Sequence, residues 1–71
     1  MTPEHFRTIR QEAGLSLSDM AALLRISDRS TIHRWEKGQR PISGPASIIC
    51  ELIATNTLPT KFYTEAGVKV P

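Results

Sequence analysis

Ser16-Leu17-Ser18-Asp19-Met20-Ala21-Ala22-Leu23-Leu24-Arg25-Ile26-Ser27-Asp28-Arg29-Ser30-Thr31-Ile32-His33-Arg34-Trp35-Glu36-Lys37-Gly38 is the stretch on which the fold turns. It reads as two short helices separated by the link Arg25-Ile26-Ser27-Asp28. Ser16 opens the first, capping the amide three residues on while Asp19 reaches back in a shortened capping box. Met20, Ala21 and Leu24 make its inward stripe, and the helix ends near Leu24 or Arg25. Ser27 or Asp28 caps the second helix, which turns Ile32 and Trp35 inward at i, i+3. Gly38 stops it, and Lys37 places a cation at the negative end of its dipole.

Helices joined by so short a link cross steeply, and the small Ala21 lets them approach closely. The second helix then projects, with Arg29, Ser30, His33 and Arg34 outward and Thr31 near its start. Such donors and short polar groups suit base edges in a DNA major groove about 12 Å wide. Ser27, Lys37 and Arg40 flank them at positions for backbone phosphates, and Ser16 and Arg25 complete that phosphate-facing set.

Outward from this core the chain stays helical. Thr2, Pro3 and Glu4 supply an N-cap, a first-position proline and a first-turn acid. Phe6, Ile9, Arg10 and Ala13 follow at helical spacing until Gly14, giving a first helix over 3–13. Pro45, capped by Ser43 or Gly44, opens a fourth helix. Its apolar face of Ile48, Ile49, Leu52 and Ile53 predicts the most buried element. Beyond Thr55 two readings stay open: a short fifth helix over 60–66 with Phe62 or Tyr63 docked on the core, or a disordered tail. Residues 67–71 are expected to fray.

Composition narrows the function classes. Apolar residues are 39% and charged residues 23%, which is too apolar for a disordered chain. At 71 residues one core is available, and burial is marginal without a second copy. No apolar run reaches the roughly 20 residues of a membrane span, and the N-terminus lacks signal-peptide features. The single Cys50 cannot form an internal disulfide, so a reducing, cytoplasmic setting is expected. Residues 25–40 hold five basic and two acidic side chains, net +3, while the remainder holds four and five, net −1. One basic patch on a near-neutral body points to a polyanionic partner. With two histidines, one cysteine and no glycine-rich phosphate loop, no metal, cofactor or catalytic site assembles, and enzyme activity is not expected.

Three runs carry a family resemblance: Arg10-Gln11-Glu12-Ala13-Gly14-Leu15-Ser16, Met20-Ala21, and Ile32-His33-Arg34-Trp35-Glu36-Lys37-Gly38. Over about residues 4–55 the chain resembles the Xre family, the helix-turn-helix group of Cro and the lambdoid phage repressors. The resemblance implies an all-α, lambda-repressor-like domain of four to five short helices. The chain itself is read as a helix-turn-helix domain over 1–57 and a C-terminal extension over 58–71, and this extension, with Phe62, Tyr63 and Val68, joins the fourth helix as the candidate dimer interface. It implies that the helix from Arg29 is the recognition helix, with Arg29 and Ser30 at its start and Arg34 one turn later as base readers and His33 close by. It also implies a structural ion pair between Arg10 and Glu36.

The chain departs from the family pattern at three points. Arg25 occupies the turn position usually held by glycine. Asp28 looks like an inserted residue, which leaves the register at the start of the recognition helix open by one position. Leu17 replaces a glutamine that often binds phosphate. The resulting expectation is a homodimeric bacterial or phage regulator, most simply a repressor, bound to a palindromic double-stranded operator. The rival reading is an antitoxin-like module whose main partner is a toxin or another protein.

Overall fold

The computed structural model describes residues 1–71 as five helices and no strands: α1 (Pro3–Glu12), α2 (Leu17–Leu23), α3 (Arg29–Glu36), α4 (Gly44–Ala54) and α5 (Thr60–Ala66). The all-α expectation holds, and the fifth helix is formed. Four of the five begin at a side-chain cap. Thr2 Oγ1 accepts from the His5 amide at 3.1 Å, and Ser43 Oγ from the Ala46 amide at 3.3 Å. Ser16 and Asp19 form the reciprocal box, both bonds 3.0 Å. Asp28 caps α3 by accepting from the Ser30 amide at 2.9 Å. Each bond satisfies an amide that has no partner inside its helix. Ser27 and Asp28 both lie before α3, which starts at Arg29.

All five helices stop in one way, at a left-handed residue flanked by a pair of backward bonds. Gly14, Gly38 and Gly67 take this position with φ of 71°, 74° and 70°. Asn56 takes it at 58°, and so does Arg25 at 58°. At the end of α2 the Arg25 amide donates to Ala22 O at 3.2 Å and the Ile26 amide to Ala21 O at 2.8 Å. Arg25 therefore adopts the glycine-type conformation itself, and the turn is not rebuilt. A side chain in this region costs about 1–2 kcal/mol.

Fourteen residues form one apolar core, with Phe6, Met20, Ile32 and Cys50 fully enclosed. Phe6 meets Trp35 edge-on, ring centroids 5.8 Å apart and planes at 83°, joining α1 to α3. On α2 the buried residues are Met20, Ala21 and Leu23, whereas Leu24 is only half-buried, one position away from the expected stripe. On α4 the buried face is Ala46, Cys50 and Ile53, and Ile48 is 60% exposed. That helix is apolar on nearly every side, so its own pattern does not choose a face. The choice falls to packing against α1.

The stretch after α4 closes the same core. Leu58, Tyr63 and Val68 are all buried, Phe62 is half-buried, and α5 packs on α2. Val68 was expected to fray; instead its amide donates to Tyr63 O at 2.9 Å, and its side chain is 8% exposed. Tyr63 and Val68 are thus engaged within the monomer and offer no free surface for an interface between copies.

One polar linkage spans the body. Arg10 donates from Nε to Glu36 Oε2 at 2.6 Å and from Nη2 to Oε1 at 3.0 Å, and its Nη1 donates to Leu15 O at 2.8 Å. A single guanidinium thereby joins α1, the α1–α2 link and the last residue of α3. Its side chain is 13% exposed, and that of Glu36 is 6% exposed. A pair this enclosed is costly to break on one side, because the remaining charge stays desolvated.

Two outcomes follow for stability, both measured by urea unfolding. Glu36→Leu or Arg10→Met alone should each cost about 3 kcal/mol. The double variant should lose much less than the sum of the two. At the turn, Arg25→Val should cost at least about 1 kcal/mol, since a β-branched residue is poorly tolerated at positive φ. Arg25→Gly should stay within about 0.5 kcal/mol of wild type, as relieved strain is offset by a freer unfolded chain.

Candidate nucleic-acid interface

The local sequence decides which side of α3 faces solvent. Ile32 and Trp35 bury one side, so helical geometry turns Ser30, His33, Arg34 and Lys37 to the other and leaves Arg29 and Thr31 at its flanks. Arg29, His33, Arg34 and Lys37 are exposed, whereas Ser30 and Thr31 are half-buried.

The carboxylates within this basic segment are both committed internally. Glu36 holds Arg10 with both oxygens. Asp28 accepts from the Ser30 amide and from Ser30 Oγ, the latter at 2.7 Å. Those bonds from Ser30, aided by nearby Arg34 and Arg29, hold the Asp28 carboxyl below its ordinary value and keep it ionised. The chain forms two ion pairs, Arg10–Glu36 and Arg25–Glu65. Arg29, Arg34, Lys37 and Arg40 form no ion pair, although the ionised Asp28 lies near Arg29 and Arg34, and the segment keeps a net positive charge.

The residues read from sequence as site candidates do not all share one place. Arg29, His33 and Arg34 present free polar tips on α3. Ser30 donates its hydroxyl hydrogen bond to Asp28. Thr31 lines an apolar groove with Ile26, Trp35, Pro45 and Ile49, on the side of α4. Ser27 lies with Ser18 and Arg29 around a shallow depression beside the turn. Ser16 is engaged with Asp19 through both its hydroxyl and its amide. Arg25 donates to Glu65 of α5 at 3.1 Å, with both side chains more than half exposed. Lys37 lines a polar cleft toward α1, and Arg40 a separate hollow with Pro3 and Pro41. Arg7, on the exposed side of α1, borders the same cleft as Lys37 and His33 and was not singled out from sequence. The only local signal was its i, i+3 spacing from Arg10.

Elsewhere the chemistry is quiet. Burial first, then Glu51 and Glu36, push the Cys50 thiol up to about 11, so it packs as a neutral side chain. No three histidine, cysteine or acidic side chains gather as a metal site. No helix is long and apolar enough to cross a membrane.

What remains is a small core that holds one helix with its cationic edge outward, behind a steep turn. Helix-turn-helix domains bind DNA with such a second helix. A family model described as a helix-turn-helix domain matches residues 4–53, which covers α1 to α3 and nearly all of α4. No curated protein and no solved structure matches the chain. The match extends over more than two-thirds of the sequence and ends before α5, and on this ground the chain belongs to the helix-turn-helix domain family.

Proposed function

We propose that this protein is a sequence-specific DNA-binding regulator, acting as a homodimer on a short inverted repeat and most simply as a repressor. The observation that carries this reading is the cationic edge of α3, on which Arg29, Arg34 and Lys37 are exposed and form no ion pair. In this reading α3 lies in the major groove. Arg34 and Arg29 read base edges and His33 assists, while Ser30 and Thr31 contact bases only near the start of the helix. Bidentate arginine–guanine contacts are the commonest specific ones. Ser27, Lys37 and Arg40 meet phosphates. Ser16 and Arg25 would join them only by giving up their present partners.

Dimerisation is supported by size and by coverage. One eight-residue helix spans few base pairs, whereas two copies place recognition helices about 34 Å apart in successive grooves. The body is 30 Å in its longest dimension, so that spacing calls for two copies side by side. The outer edge of α4, with Ile48 exposed beside half-buried Leu52, is the apolar surface available for the contact.

Selection of bound duplexes from a random pool tests the reading as a whole. It should return an inverted repeat, and equal binding of scrambled and selected duplexes would refute sequence recognition. On the selected site, Arg34→Ala or Arg29→Ala should cost about 1–3 kcal/mol and flatten preference at one base position. Lys37→Ala should weaken every sequence alike and reduce the salt dependence by about one unit. Titration by fluorescence anisotropy at several salt concentrations separates the two behaviours.

A further inference from the structure

The hydroxyl of Ser30 stands on the outward side of α3 and already has a fixed partner. Ser30 lies three, four and seven positions before His33, Arg34 and Lys37, so helical geometry sets all four on one side of the helix. Asp28, the N-cap, holds it twice. Its Oδ1 accepts from the Ser30 amide at 2.9 Å, and its Oδ2 accepts from Ser30 Oγ at 2.7 Å. A carboxylate only accepts, so the direction of the second bond is set, and the single hydroxyl hydrogen of Ser30 is spent on it. The same bonds hold the Asp28 carboxyl below its ordinary value, and it stays a carboxylate at neutral pH. What Ser30 Oγ offers outward is therefore lone pairs alone. Serine by itself suits either kind of base edge. Here it has one sign.

We propose that Ser30, held by Asp28, is an acceptor-only reader that selects an amino-bearing base, adenine or cytosine, on one strand at one position of each half-site. The inference rests on the DNA-binding reading above, in which α3 lies in the major groove, and adds to it the chemical sense of one contact. In that groove every base pair shows one exocyclic amino donor, on adenine or cytosine, and one keto acceptor, on guanine or thymine. A group that only accepts meets the amino edge well and faces the keto edge lone pair to lone pair. It tells A·T from T·A and C·G from G·C, without telling adenine from cytosine. A keto base would have to draw the hydroxyl away from a charge-assisted bond about twice as strong as a neutral one. Arg29 and Arg34 only donate, so the edge of α3 combines donors suited to guanine with one acceptor. The turn before α3 thus takes part in specificity, because it places Asp28 beside the hydroxyl.

The test measures ratios of affinity between duplexes for wild type, Ser30→Ala and Asp28→Asn, with each base pair of the selected half-site replaced in turn by the other three. Ratios cancel the uniform gain in affinity that losing the Asp28 charge brings. Asparagine caps a helix as well as aspartate does. With its oxygen on the Ser30 amide, its Nδ2 faces Ser30 Oγ and donates, which returns the hydroxyl hydrogen to the outward side. Wild type should prefer adenine or cytosine over guanine or thymine at one position by about three- to tenfold, the worth of one net hydrogen bond. Ser30→Ala should flatten that position alone, and Asp28→Asn should turn its preference toward guanine or thymine. Thermal melting reports whether both variants keep the fold. A change in the DNA alone needs no variant: at the same position, a base analogue lacking only the exocyclic amino group should cost wild type the same factor. If wild type binds its site selectively but Ser30→Ala alters no position, or the amino group can be removed at no cost, the acceptor role is overturned while the DNA-binding reading stands. A folded Asp28→Asn variant that keeps the amino preference overturns it equally. If wild type binds scrambled and selected duplexes alike, both readings fall.

Discussion

The bidentate pair between Arg10 and Glu36 is the constraint on which the usable shape depends. Apolar contact between Phe6 and Trp35 brings α1 and α3 together, but such contact is tolerant of sliding and rotation. Two hydrogen bonds with fixed fork geometry are not, and the third bond to Leu15 O adds the α1–α2 link to the same clamp. Because Glu36 is the last residue of α3, the pair sets the far end of the outward helix, while the Arg25 turn sets its near end. Held at both ends, α3 presents its cations as a rigid edge. The same pair occupies both oxygens of the one carboxylate near Lys37, which therefore does not pair with that lysine in place of an outside anion.

Much of this was legible in the sequence because it is local. The Ser16–Asp19 box, the Thr2 cap and the glycine stops at 14 and 38 each depend on residues a few positions apart, and each is formed. Ile32 and Trp35 were equally readable, since charged and polar neighbours leave only one apolar side to α3. α4 was not readable in the same way. With Ile48, Ile49, Leu52 and Ile53 crowding its surface, its buried face is settled by α1, and Ile48 ends up outside. Leu23 and Leu24 posed the same problem at smaller scale: adjacent identical residues, of which packing chose the first.

The site shows a sharper divide. Which α3 residues face outward followed from helical period, but what each side chain already holds did not. Ser30 is engaged by Asp28, Arg25 by Glu65 and Thr31 by an apolar groove, and all three engagements are visible only in three dimensions. The Arg10–Glu36 pair spans 26 positions, and family resemblance alone suggested it. Arg7 had no such aid, because its neighbours His33 and Lys37 are brought to it by the fold. The stretch after residue 57 gave little signal, since α5 lacks a side-chain cap and is held by the core into which Tyr63 inserts.

The central claim is that the outward edge of α3 is the surface that meets DNA. Amide chemical-shift mapping during titration with the selected duplex tests it most directly. The largest changes should fall on residues 27–37, with α4 and α5 little affected. Changes centred on α4 or α5, with the amides of α3 unmoved, would contradict it.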